Sequence, residues 1–275
     1  MHQSSEIVPP NHITVVLLWS ILERRPCLLK PVFGLSPLFG RTLWGRFGTL
    51  SNDLKAVRRR RIQQFVETEK NMALQQRTKR TRANTAVLLI DHQVGLFTGV
   101  RDLTVSDLKH NVVGPAKAAK VLGLPVIAVT TARDSMWGPT IPELKDVVGD
   151  DILDRSSVNT WDDPPFVEVV KATKRNHLII AGLSFEVCAS FPAISAKDAG
   201  YEPIVALDAC GTFSQDKRQA GVARLGTLGI EVSDYATLMM EMLGDNADPK
   251  ANDVYAALDM PFAVLMGQVA SALVR

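Results

Sequence analysis

The sequence predicts an α/β domain built on a parallel sheet covered on both faces. Short apolar runs alternate with longer amphipathic stretches from Ala83 onward. Most of those runs are apolar at every position, as strands buried on both faces are. Glycine stands just past several of the amphipathic stretches, where a left-handed residue closes a helix.

In chain order, Ala86-Val-Leu-Leu-Ile90, Pro125-Val-Ile-Ala-Val-Thr130, His177-Leu-Ile-Ile-Ala181, Pro203-Ile-Val-Ala-Leu207 and Ile230-Glu-Val-Ser233 read as strands. A shorter run, Asp151-Ile-Leu-Asp154, ends at Arg155. Between them, helices are predicted over 106–122, 165–173, 186–199 and 215–228, several of them closing at Gly123, Gly200 and Gly229. Gly114-Pro115 falls inside the first helix and is expected to kink or split it, because proline removes a backbone donor and crowds the preceding turn. Beyond residue 234, the stretches 235–243 and 252–274 read as helical and rich in Met, Leu and Ala, suited to core packing or a subunit contact.

The 275 residues, 46% of them hydrophobic, suffice for one sizeable domain and an appendage. Cys27, Cys188 and Cys210 are an odd set, widely spaced and without a CxxC, which fits reduced thiols in the cytoplasm better than a disulfide framework or a metal site. Charge divides the chain. Residues 1–82 carry 15 Lys and Arg against 5 Asp and Glu, and the remainder 16 against 24. Residues 1–82 are therefore read as a basic extension, poorly ordered or the product of an upstream start, with Met72 as the natural first residue; residues 83–275 form the domain. The apolar run Ile13–Leu22 is too short to span a bilayer and lacks the flanks of a signal peptide. Arg58-Arg-Arg-Arg61 and Lys79-Arg-Thr-Arg82 come without a nucleic-acid reading motif, so no nucleic-acid or membrane partner is expected.

Ligands of such sheets meet the carboxyl ends of the strands, and neither GxGxxG nor GxxxxGK[ST] is present to cradle a phosphate. Polar residues at three strand ends remain. The first strand runs into Asp91-His92-Gln93, the short run ends at Arg155, and the strand at 177–181 leads through Gly182-Leu-Ser-Phe-Glu-Val to Cys188. Each has an ordinary reading: a turn-capping aspartate, a surface arginine, a cysteine filling a core gap. Together they suit nucleophilic catalysis, with a carboxylate to take a thiol proton, a permanent cation, and a thiol in the first turn of a helix, where unpaired amides favour the thiolate. His92 at a strand end suits a backbone hydrogen bond, and Cys210 suits packing. Trp137, Trp161 and Phe191 are candidates for the wall of a substrate pocket, and equally for core or subunit contacts.

The ordered set Val87-Leu-Leu-Ile-Asp91-His-Gln-Val-Gly-Leu96, Asp154-Arg155 with Asn159-Thr-Trp161-Asp162, Ile179-Ile-Ala-Gly182-Leu-Ser-Phe-Glu186-Val-Cys188 and Asp208-Ala-Cys-Gly-Thr-Phe213 resembles the isochorismatase-like cysteine hydrolases, most nearly their YcaC-like branch. The resemblance runs from about Asn84 to the region of Tyr235. It implies a three-layer α/β/α fold, Asp91, Arg155 and Cys188 as acid, cation and nucleophile, and a cis peptide at Leu183-Ser184. The amides of Ser184 and Cys188 would then face the substrate oxygen. It also implies a homo-oligomer, the octamer being one form, that hydrolyses a small-molecule amide, imide or ester through a thioester. Arginine stands where many relatives have lysine, and a guanidinium does not shuttle protons, so Arg155 is expected to act electrostatically. The loop Thr131-Ala-Arg-Asp-Ser-Met-Trp137 has no histidine for the metal site of the nicotinamidase members, so no metal and no cofactor are expected. Two alternatives stand beside this reading: vinyl ether hydrolysis on the same fold, against which Cys188 counts, and a non-catalytic oligomeric scaffold.

Overall fold

The computed structural model describes residues 57, 60–64 and 78–273. The chain divides into residues 1–76 and residues 77–275. In the first unit, residues 57 and 60–64 are helical; the apolar run 13–22, Cys27 and Met72 lie outside the described residues.

The second unit is a three-layer α/β/α domain, its six parallel strands flanked by helices. The strands are β1 (Thr85–Ile90), β2 (Val126–Thr131), β3 (Leu153–Arg155), β4 (His177–Gly182), β5 (Glu202–Ala206) and β6 (Glu231–Ser233). Their order across the sheet is β3-β2-β1-β4-β5-β6. The chain begins in the middle, builds outward through β2 and β3, then crosses back to lay β4 against β1, with Ile90 opposite Gly182. Strand order thus reverses between β1 and β4, which opens a crevice beyond their carboxyl ends. Both strands are buried along their whole length, as their unbroken apolar sequence requires.

The helices are α1 (Val94–Phe97), α2 (Val105–Leu122), α3 (Pro142–Val148), α4 (Pro164–Ala172), α5 (Ser190–Asp198), α6 (Gln215–Thr227), α7 (Tyr235–Leu243), α8 (Ala251–Leu258) and α9 (Pro261–Leu273). Side chains of Thr104, Asp163, Ser214 and Asp234 accept from first-turn amides of α2, α4, α6 and α7, each such cap contributing about 1 kcal/mol. Gly123, Gly200 and Gly229 adopt left-handed φ of 76°, 89° and 65° just past α2, α5 and α6.

Three expectations are corrected. Pro115 does not split α2, which runs unbroken from 105 to 122; the segment is buried, and Gly114 lies so close to α8 that a Cβ would sit 3.3 Å from the Leu258 carbonyl oxygen. Packing there outweighs the lost donor. The helix expected over 186–199 begins as a π turn, Phe185–Ala189, before α5. The stretch 252–274 is two helices bent by 117°, broken where Asp259 is left-handed (φ 44°) and Pro261 starts a new helix. Within the second unit, Arg80 pairs with Glu231 (2.9 Å) and Glu241 (2.8 Å), and Arg82 pairs with Asp248 while donating to the carbonyls of Met242 and Leu243.

Candidate active site

Asp91 follows β1 directly, and its amide still donates to Val129 of β2 at 2.8 Å. Its φ of 57° turns the chain sharply out of the sheet, a conformation that aspartate tolerates better than most residues. Arg155 ends β3. Its Nη2 donates to Asp91 Oδ2 at 2.6 Å, its Nε to Thr160 Oγ1 at 2.8 Å and its Nη1 to the Ser157 carbonyl at 2.5 Å. Both side chains are buried. All three guanidinium nitrogens are thus occupied, which makes Arg155 a holder of Asp91. Asp91 Oδ1, also buried, has no aligned hydrogen-bond partner among the described residues.

The ionisable group beside that carboxylate is the Cys188 thiol. β4 ends at Gly182, the Leu183–Ser184 peptide is cis, and the Ser184 carbonyl collects the amides of Val187 (3.3 Å), Cys188 (2.7 Å) and Ala189 (3.4 Å). The last of these closes the π turn. Gly182 is needed here for close approach, because a Cβ would lie 2.9 Å from the Ala189 nitrogen and 3.0 Å from the Cys188 carbonyl carbon. Cys188 is partly exposed. Its amide donates to the Ser184 carbonyl within the turn, whereas the Ser184 amide donates to no partner among the described residues.

Electrostatics correct the expectation of a stabilised thiolate. Burial, and then the negative charge of Asp91, push the Cys188 thiol well above its ordinary pKa, against the opposing pull of Arg155. Burial also raises Asp91, with Arg155 countering. Both shifts disfavour charge at this site, on the thiol and on the carboxyl beside it. His92 Nε2 donates to the Ala209 carbonyl at 3.1 Å, and burial lowers its pKa to about 4. Cys210 is fully buried, accepts from the Gly182 amide at 3.2 Å, and is pushed up to about 12 by burial.

The aromatic candidates divide. Trp137 is half-buried on a loop that Gln93 pins: its Nε2 donates to the carbonyls of Thr131 (3.0 Å) and Gly138 (2.5 Å), while its Oε1 accepts from the Thr131 amide. Trp161 packs edge-on against Phe166 and Tyr201, at 6.1 and 5.3 Å between centroids, and the Arg224 guanidinium covers Phe191 at 5.2 Å. Those two rings have structural partners.

The turn is braced from behind by residues not singled out in the sequence. Phe185 donates to the Gly211 carbonyl at 2.8 Å, and Thr212 Oγ1 to Glu186 Oε2 at 2.6 Å. The 207–212 segment is clamped in turn by a second buried pair. Asp102 Oδ2 accepts from Arg218 Nε and Nη2 (2.6 and 2.5 Å), its Oδ1 accepts from the Thr212 amide (2.8 Å), and Arg218 reaches the carbonyls of Leu207 and Cys210. Gln93 and Thr160 carried a local signal, each lying within two residues of a motif residue; Asp102 and Arg218 carried none. A separate cavity of about 680 Å³, lined by Arg80, Ala236, Thr237 and Met240, lies away from this chemistry. Among the described residues, no three His, Cys, Asp or Glu side chains converge as a metal-ligand set.

An isochorismatase domain model matches residues 85–237. Probable hydrolase YcaC of Escherichia coli (strain K12) is 39% identical over 164 residues, covering 59% of this chain and 79% of that protein. The crystal structure of the E. coli YcaC gene product, described as an octameric hydrolase of unknown specificity, superposes with a TM-score of 0.67 at 34% identity, covering 71% of this chain and 98% of that one. YcaC from Pseudomonas aeruginosa, solved with hexane-2,5-diol and covalent acrylamide, gives 0.66 at 33% identity, covering 70% and 98%. The sheet, its strand order and these likenesses together place the chain in the isochorismatase family, as a hydrolase of the YcaC-like branch.

Proposed function

We propose that the protein is a cysteine-dependent hydrolase acting on a small-molecule amide, imide or ester bond. The observation that supports this is the Cys188 thiol interacting with a buried carboxylate that Arg155 holds through its other oxygen. As sulfur attacks the carbonyl carbon, Asp91 takes the thiol proton. The developing oxyanion meets the Ser184 amide, and an essential donor of this kind contributes about 3–4 kcal/mol. Collapse breaks the bond to the leaving amine or alcohol, which takes the proton from Asp91 and leaves a thioester. Asp91 then takes a proton from water as it attacks the thioester; the carboxylic acid departs, and sulfur regains the proton. Arg155 remains charged throughout and fixes the carboxylate.

The Pseudomonas aeruginosa relative is described with covalent acrylamide, an electrophile to which thiols add; in this chain the group placed to react is Cys188. A homo-oligomer in a reducing cytoplasm, which keeps the thiol free, completes the proposal. The test is a screen of small amides, imides and esters with the wild type and Cys188→Ala, alongside acrylamide labelling read by peptide mass spectrometry. Hydrolysis lost in the variant, with label on Cys188 and not on Cys210, is the expected result. Hydrolysis retained in Cys188→Ala overturns the mechanism.

A further inference from the structure

Helix α9 is unlike every other helix of the domain. None of its 13 residues is buried and none is charged. Phe262, Leu265, Met266, Val269 and Leu273 recur at spacings of three and four and form one apolar stripe. Phe262 and Leu273 are 74% and 80% exposed. A helix of this length without tertiary packing is marginal in water, and a contiguous apolar stripe on a surface marks a covered face.

We propose that α9 is the surface on which a second copy of this chain docks, helix against helix; this rests on the homo-oligomer reading above and names its contact. The five exposed side chains of the stripe present on the order of 600 Å², against the roughly 800 Å² per partner of a standard interface. A twofold contact uses the same surface on both partners, and a charge near its axis would meet its own like. α9 carries no charge to repel its copy and none to complement a charged foreign partner. The stripe provides the three–four repeat by which paired helices interlock, and Ala263, Gly267, Ala270 and Ser271 keep the other side thin enough for a second close approach.

A bilayer is a poorer occupant. Thirteen residues span about 20 Å, short of the roughly 30 Å hydrocarbon core, and a helix lying in the interface would carry a Lys- or Arg-rich face. The preceding α8 is packed on α2, with Ala251, Val254 and Leu258 buried, so the bent pair cannot enter a membrane together. Asp259 and Pro261 set the elbow that turns α9 away from α8.

The test is sedimentation velocity on the full chain, for the wild type, Leu265→Glu/Val269→Glu and the milder Phe262→Ser/Leu273→Ser, with folding checked by circular dichroism and flotation on phosphatidylcholine–phosphatidylglycerol vesicles in parallel. An oligomeric wild type is expected, with both variants folded and their dissociation constants raised at least 100-fold. An oligomeric wild type whose mass neither variant changes overturns the assignment of α9 alone. A monomeric wild type overturns the oligomer reading with it. A monomer that floats with vesicles, and no longer does so when the stripe is substituted, gives α9 to the membrane instead.

Discussion

Asp91 and Asp102 are both buried carboxylates paired with an arginine, and their unused atoms separate them. In Asp102–Arg218 both carboxylate oxygens are occupied, and the arginine spends its remaining donors on the Leu207 and Cys210 carbonyls. In Asp91–Arg155 the arginine is equally saturated, but Asp91 Oδ1 has no aligned partner, and the Cys188 thiol lies beside the carboxylate. A satisfied pair is a clamp. A pair with one buried oxygen left over keeps the capacity to accept a proton, because leaving that oxygen unpaired costs free energy that a proton recovers. The two cysteines repeat the contrast: Cys210 accepts from Gly182 inside the core, and Cys188 stands partly exposed beside the unsatisfied carboxylate.

The comparison can be broken most directly at sulfur. Cys188→Ala should lower hydrolysis by about 10⁴-fold or more with little change in urea unfolding, whereas Cys210→Ala should keep most activity and lose roughly 1–3 kcal/mol of stability by stranding the Gly182 amide. Equal losses of activity would erase the distinction. Next in size, Asp91→Asn should lower hydrolysis by about 10²–10⁴-fold while speeding iodoacetamide alkylation of Cys188 near pH 8. The negative charge that helps to hold the thiol protonated is then gone. Opposite signs in the two assays sharpen the assignment; a parallel fall makes Asp91 a structural residue.

For the clamp, Arg218→Ala should cost about 3–5 kcal/mol by leaving Asp102 buried and uncompensated, measured by urea unfolding with Cys210→Ala as the reference. A neutral result would reduce the pair to a surface contact. The smallest effect is in pH. Protonated Asp91 cannot accept the thiol proton, so kcat/KM should fall as pH is lowered through the Asp91 pKa. Burial places that midpoint above the ordinary 3.8. A profile with its acid limb at or below that value would show Arg155 winning over burial.

Much of the fold was legible because β1, β2, β4 and β5 are apolar runs bounded by turns, and Gly123, Gly200 and Gly229 mark helix ends in the sequence itself. Strand order was not. The reversal between β1 and β4 brings Asp91 and the cysteine turn to one crevice, and it depends on which strands pair across the chain. Pro115 misled because a local rule met a helix held from outside by α8. The π turn is written in no single residue, since it arises where Ser184 gathers three amides against a glycine-ended strand. For Trp161 and Phe191 the sequence carries no sign of the spatial neighbours Tyr201, Phe166 and Arg224 that the fold sets against them. Asp102 and Arg218, 116 residues apart, could be matched only by folding.

The π turn at Phe185–Ala189 holds one residue more than an α turn would. Deleting one of the five would let the segment close into an ordinary α turn while Ser190 and Phe191 keep their places around the axis, so the extra residue is taken up wholly within the turn that carries Cys188. The insertion therefore acts locally: it sets how Cys188 leaves the strand and passes no change of register on to the helix that follows.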